Sequence, residues 1–563
     1  MVYVEPKFLV QALSIFYFLC VVDAAPDANL LRVLGPQGVN LWKLEKVQAA
    51  KVSKESPSLI LQESEGTQGV LSTATDFRAR WFEQPLDHFS KGLKHTFHQR
   101  YWVNDRHYDA QKGGPVIVLD GGETSGEDRL PFLDTGIVEI LARATAGIGV
   151  VLEHRYYGAS IPVDNFTTDS LRWLDNEQAA ADSANFMANV KFDGIDEDLT
   201  APNTPWIYYG GSYAGARAAH MKVLYPELVY GSIASSAVVH AELANWKYME
   251  IIRLAADPIC SSHLENSVSI IDKILDHRLF VGHLKALFGV KDLQHDEDFV
   301  SLIVAPLGSW QSKVWDPAVG STTFDDFCNA LNKPLRHFNA AVADQPFGHT
   351  SRMVPIADGF KLDFSIVNYA QWIKEHVVSR CPPDRTVERC FGTFDDTQYQ
   401  ETSLDQDWRL WQFQVCTQWG YFTTSPPNED WPRIISRRLT LEYESKICKQ
   451  AFPPGKYFTV PREPNVTAVN ALGDFDLAAD HLAFIDGEVD PWRPETPHNV
   501  DYANDREDTV LRPFKLIPGA VHHWDEYGLP NLSDEPPEIR KIHGEMIDFV
   551  MAWLKDWKAP RKE

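Results

Sequence analysis

The chain is 563 residues long, well beyond the roughly 250–300 residues at which one hydrophobic core stops growing, so more than one domain is expected. Hydrophobic residues at 44% and aromatics at 12% supply ample core and exclude general disorder. A formal charge of −25 with no basic stripe excludes nucleic acid as a partner, and it shrinks as pH falls, which suits an acidic compartment.

In chain order, Lys7 precedes the apolar run 8–22, and Val22-Asp23-Ala24 offers the small-residue pattern of a cleavage site, so residues 1–24 read as a signal peptide. The run falls short of the about 20 apolar residues a bilayer span needs, and no later segment reaches it, so no membrane span is expected. Residues 25–76 mix Glu, Ser, Gln and Gly with little periodicity and read as a loose N-terminal extension or propeptide.

From Phe77 to residue 242, apolar runs at 116–119, 149–152, 206–209 and 229–237 alternate with helical patterns such as 176–190. That alternation predicts an α/β fold with a mostly parallel sheet covered on both faces. Between 243 and 450 long amphipathic patterns take over, for instance 266–279 and 364–378, predicting a helical cap. Strand-like runs return at 481–485 and 514–517, and a helix is predicted over 538–557. Residues 451–563 therefore complete the sheet begun before the cap.

Seven cysteines are present, and Cys20 would leave with the signal. The remaining six, Cys260, Cys328, Cys381, Cys390, Cys416 and Cys448, are an even number inside the cap segment, which favours three disulfides in an exported chain. The close CxxC pairs of a metal site are absent, and neither metal nor cofactor is expected. Asn165, Asn465 and Asn531 each open an Asn-x-Ser/Thr glycosylation triplet, in keeping with export.

The stretch Trp206-Ile207-Tyr208-Tyr209-Gly210-Gly211-Ser212-Tyr213-Ala214-Gly215 is an apolar strand followed at once by small residues. A nucleophile elbow needs that pattern, because strand and helix must approach closely for the serine hydroxyl to stand at the corner. Alanine at 214 stands where a second glycine is usual. The helix start places the Tyr213 N–H as an oxyanion donor, and the loop after the first parallel strand offers Gly122 or Glu123 as the second. A nucleophilic serine needs an imidazole and a carboxylate to fix its tautomer, arriving later in the order Ser, Asp, His. Asp490, just past a strand and before Pro491, is the acid, with Asp486 and Glu488 as rivals. His522 or His523, after the last strand, is the base.

These residues resemble a known family, the prolyl carboxypeptidases, dipeptidyl peptidases and fungal prolyl endoproteases among the serine peptidases. The likeness runs through 82–89 (FEQPLDHF), 99–102 (QRYW), 153–158 (EHRYYG), 210–215 (GGSYAG), 415–420 (VCTQWG), 490–492 (DPW) and 519–525 (GAVHHWD). It implies an α/β-hydrolase with an inserted helical, disulfide-bonded cap, and a triad of Ser212, Asp490 and His522. His522 is preferred over His523 because the family histidine lies three residues before an aspartate, here Asp525. It also implies the pairs Cys260–Cys328, Cys381–Cys390 and Cys416–Cys448. Asp486 stands where asparagine is common, and Val521 is an extra residue before the histidines.

The implied activity is hydrolysis of peptide or protein substrates after proline at acidic pH, in a secreted or lysosome- or vacuole-like setting. Proline lacks the N–H used in strand-like docking, so ring packing must replace it, and Trp492, Tyr213 and Trp419 are the aromatics expected in that pocket. Two other readings share the scaffold: an esterase or lipase, and a silent hydrolase-like binding protein. The sequence leaves open the oligomeric state, and whether cleavage is internal or from either end.

Overall fold

The computed structural model describes residues 28–55, 77–92, 94–334, 353–501 and 506–558. The signal peptide expected at 1–24, with Cys20, lies outside them. Strands β1 (Arg80–Pro85), β2 (Thr96–Asn104), β3 (Val116–Asp120), β4 (Ile148–Leu152), β5 (Trp206–Gly211) and β6 (Gly231–Ser235) precede the cap. Within the cap segment, β7 (Glu242–Ala244) pairs parallel with β10 (Gly420–Phe422), and β8 (Met353–Ala357) with β9 (Phe360–Asp363) forms a hairpin. After it come β11 (Leu482–Gly487) and β12 (Phe514–Ile517).

The main sheet runs β1-β2-β4-β3-β5-β6-β11-β12. The six strands from β4 to β12 are mutually parallel, and β1 and β2 add an antiparallel edge. β3, β4, β5, β6 and β11 are buried along their whole length, as a sheet covered on both faces requires. Side-chain alternation sorts the two layers. Val116 and Val118 face a cluster that includes Ala180, Phe186 and Ala216 of the helices Asn176–Asn189 and Tyr213–Leu224. Ile117 and Leu119 face the helices Ile137–Thr145 and Pro537–Asp556. On the last helix Ile539, Ile542, Met546, Phe549, Val550 and Trp553, spaced for one face, are all buried.

The helical segments between β6 and β11 form the inserted cap. Its disulfides are Cys260–Cys328, Cys381–Cys390 and Cys416–Cys448. Cap residues Trp411, Trp419 and Tyr421 share one apolar cluster with Tyr208 and Tyr213 of the sheet unit, so the two parts pack as one core. Among the glycosylation triplets, Asn465 and Asn531 are exposed and Asn165 is half-buried. Among the described residues no helix is long and apolar enough to cross a membrane.

One expectation fails. The N-terminal extension is not uniformly loose, because Ala28–Glu55 is helical, with a break at Gly35-Pro36. The pattern was hidden by that break, which splits the periodicity into two short stretches. Leu34, Val39, Leu41, Trp42 and Leu44 are buried, and Asn40 donates to the Gly392 carbonyl and accepts from the Tyr399 hydroxyl. Gly35, at φ +48°, brings its backbone against the Glu444 carboxyl, where a Cβ would clash.

Glu444 is 2% exposed, and its Oε2 has no hydrogen-bond partner among the described residues. Burial pushes its pKa up to about 8, against a smaller lowering by Lys446. The native state therefore holds a proton that the unfolded chain releases above its ordinary value near 4.5. This contribution to stability is complete below that value and is lost as pH rises through about 8. Across that range Glu444→Gln should lose on the order of 5 kcal/mol less stability than wild type, read by urea unfolding. Parallel stability curves for the two proteins would contradict this.

Candidate active site

The elbow is built from close approach. Ser212 has φ +62° and ψ −123°, a conformation rare for a residue with a side chain, at the junction between β5 and the helix Tyr213–Leu224. Its N–H donates to the Ser235 carbonyl of β6 at 2.9 Å, and its own carbonyl accepts from Ala216 at 3.0 Å. A Cβ on Gly210 would strike the backbone of Ala214, and one on Gly215 would strike the Ser235 carbonyl. Ala214 is tolerated because its methyl packs on Gly122 of the loop after β3, where a Cβ would stand 3.2 Å away.

Asp490 and His522 meet in space. His522 Nδ1 lies 2.8 Å from Asp490 Oδ2, both residues are at most 2% exposed, and Asp490 Oδ1 accepts the Trp492 N–H at 2.9 Å. The rival acids are occupied elsewhere. Asp486 Oδ2 is 2.5 Å from His498 Nδ1, and Glu488 Oε2 accepts the Gly519 N–H at 2.9 Å. His523 turns away, its Nδ1 lying 3.1 Å from Glu526 Oε2, with φ +37° at its own backbone. Asp525 anchors the histidine loop to the sheet by accepting the Tyr209 hydroxyl at 2.7 Å and the Ser235 hydroxyl at 2.5 Å. Burial raises the Asp525 pKa to about 6 despite those two donors.

Four expected roles need correction. The Gly122 N–H already donates to Asp120 Oδ1 at 3.0 Å, so it is not aimed at an oxyanion, and the loop's other candidate donor is the Glu123 N–H. Tyr213 and Trp419 have no solvent-accessible surface and cannot line an open pocket. The Tyr213 hydroxyl lies 3.0 Å from His154 Nε2 and accepts from Gln414 Nε2 at 2.8 Å, while its ring packs edge-on to Trp411 and Trp419. They pin the elbow helix to the cap. Trp492 is 3% exposed, donates Nε1–H to Gln311 at 2.7 Å and packs edge-on to Tyr248 and Tyr421, so it joins the acid loop to the cap.

Sequence reasoning missed the polar frame behind the elbow. Asp120, at the end of β3, accepts from Arg217 Nε at 2.7 Å and from the Tyr208 hydroxyl at 2.5 Å. Burial alone would raise its pKa, yet Arg217, His154, Tyr208 and the Gly122 N–H together hold it below the ordinary value. Glu526 packs its carboxyl against Gly211, where a Cβ would collide with it. Burial opposes its charge, but His523, Arg129 and His522 outweigh burial and lower its pKa. Arg217 and Tyr208 lie 97 and 88 positions from Asp120, so no local pattern announces their contact with it.

The chain is similar to several known proteins. The chain is 38% identical over 532 residues to a probable extracellular serine carboxypeptidase of Arthroderma benhamiae, covering 90% of this chain and 72% of that protein. It is 27% identical to the serine protease vicPb of Bipolaris victoriae, covering 84% and 89%. It is 25% identical to the lysosomal Pro-X carboxypeptidase of Bos taurus, covering 85% and 89%. The serine carboxypeptidase S28 profile matches residues 84–301 and 363–545, well over half of the chain. With a parallel α/β sheet, a strained serine at its elbow and an acid-paired histidine after its last strand, the chain belongs to the serine carboxypeptidase S28 family of serine-type peptidases.

Proposed function

We propose that this chain is a carboxypeptidase that cleaves after proline, using Ser212 as nucleophile, His522 as general base and Asp490 as the orienting acid. The observations that carry this reading are the buried Asp490–His522 hydrogen bond and the strained backbone of Ser212 at the corner between β5 and its helix. The proline preference is supported by the similarity to the bovine Pro-X enzyme, and the terminal mode by the names of that relative and the Arthroderma one. Three disulfides, together with relatives named extracellular and lysosomal, support export or an acidic compartment. The same reading takes 77–242 and 451–563 as the two halves of the catalytic unit and 243–450 as its cap.

Chemically, Asp490 holds the imidazole with Nδ1–H directed at its carboxylate, which leaves Nε2 to accept the Ser212 proton. Ser212 Oγ then bonds to the scissile carbonyl carbon, and the oxyanion is held by the Tyr213 N–H at the helix start together with the Glu123 N–H. His522 returns the proton to the leaving amine, the C–N bond breaks, and an acyl-enzyme remains on Ser212. Water, deprotonated by the same imidazole, releases the acid product and regenerates the serine.

Ser212→Ala should lower kcat/KM at least about 10³-fold, and Asp490→Asn should lower kcat by about 10⁴-fold with little change in KM. Loss of less than tenfold in either variant would reject the triad. Mass spectrometry of peptides ending in Pro-X should show loss of the final residue only, while the same peptides with alanine for proline persist. Release of dipeptides from the amino end, or internal cuts, would overturn the carboxypeptidase mode. Faster turnover of lipid esters than of any peptide would favour the esterase.

A further inference from the structure

Beyond the triad, the described residues contain one group of three side chains arranged to hold a metal ion: His240, Glu242 and Glu495, whose ligand atoms all lie within 4.8 Å of one another. His240 and Glu242 follow β6, with Glu242 opening β7. Glu495 ends the short turn Arg493–Glu495 just after Asp490. The His240 N–H donates to the Glu495 carbonyl at 3.1 Å, and the Glu495 N–H donates to the Trp492 carbonyl at 2.9 Å, so the backbone already sets the two segments side by side.

Two features separate this group from an ordinary acidic cluster. Glu495 is 2% exposed and its carboxyl pairs with that of Glu242, while neither residue's Oε1 has a further hydrogen-bond partner among the described residues. Two carboxyl groups facing each other at such depth cannot both carry charge without a cation or a shared proton between them. Lys247, whose charge reaches both carboxyl groups, also pairs with Asp501 at 2.7 Å. His240 is also oriented as a metal-binding imidazole usually is. Its Nδ1 lies 2.7 Å from Asp474 Oδ1, and its ring stacks on Phe475 at 4.3 Å, so one nitrogen is held by a carboxylate and the other remains to bind a metal.

We propose that His240, Glu242 and Glu495 bind a divalent transition-metal cation of the Zn²⁺ type, tying the loop that carries Asp490 to the segment leaving β6. One imidazole and two carboxylates give the mixed nitrogen and oxygen set such ions accept, with a fourth position for water. Ligand bonds of about 2.1 Å require donor atoms about 3.4 Å apart, so binding would draw the three side chains closer together than they stand here. The cation's role is structural, because none of its ligands belongs to the triad. A cation that binds the folded chain and not the unfolded one raises its unfolding midpoint.

The test uses the full-length chain, stripped with chelator and dialysed against Zn²⁺ at neutral pH, alongside Glu495→Gln and His240→Asn. Wild type should take up one more Zn²⁺ per chain than either variant, with a dissociation constant on the order of micromolar or tighter. Its unfolding midpoint should rise with Zn²⁺, and the rise should vanish in both variants. Should Glu495→Gln fail to fold, His240→Asn carries the comparison, and X-ray absorption at the zinc edge of wild type should report nitrogen and oxygen ligands without sulfur. Equal uptake by wild type and variants, or a midpoint indifferent to Zn²⁺, would overturn the site and leave a proton-sharing carboxyl pair in its place.

Discussion

Ser212 is held at φ +62° by hydrogen bonds from both sides, its N–H to β6 and its carbonyl to its own helix, and everything else at the site is placed relative to that corner. The conformation costs on the order of 1–3 kcal/mol on its own and persists only because its surroundings leave the chain no other path. Gly210 and Gly215 let helix and strand touch, and Gly122 makes room for Ala214. Glu526 closes the space behind Gly211. A side chain added at any of the first three would press on backbone or on Ala214, so the strain is maintained by packing.

Buried charge then locks the frame. Arg217, on the elbow helix, bonds Asp120 at the end of β3, and Arg155 grips Asp182 through two hydrogen bonds at 2.6 and 2.8 Å. Glu153 accepts from Arg100 Nη2 at 2.7 Å, from the Gly126 N–H at 2.9 Å and from the Ser160 N–H at 3.0 Å. Removing one partner of such a pair leaves an uncompensated buried charge, which costs about 3–5 kcal/mol. The stretch from Glu153 to Gly158, conspicuous in the sequence, thus ties β2 to the loops after β3 and β4.

Much of this was legible in the residues before any coordinates. The parallel sheet followed from apolar runs alternating with helical ones, and the last helix from a single apolar face running from Ile539 to Trp553. Ser212 was legible because an elbow demands small neighbours. The preference for His522 over His523 comes from resemblance; in space His522 Nδ1 lies 2.8 Å from Asp490 and His523 Nδ1 lies 3.1 Å from Glu526, a difference that residue order alone does not show. The errors share a cause. Whether Gly122 offers its N–H outward, or Tyr213 and Trp419 meet solvent, depends on partners such as Asp120, His154 and Gln414 that sequence distance conceals. The helix Ala28–Glu55 escaped notice because its break divides the pattern and because its buried face exists only against the cap.

The central claim is that a single activated serine, Ser212, forms the covalent intermediate, and covalent labelling tests it most directly. Incubation of the native enzyme with a fluorophosphonate, followed by digestion and mass spectrometry, should place the label on Ser212, in step with loss of peptidase activity and only in folded protein. A label on another serine, or no label while peptides are still being cleaved, would contradict the account.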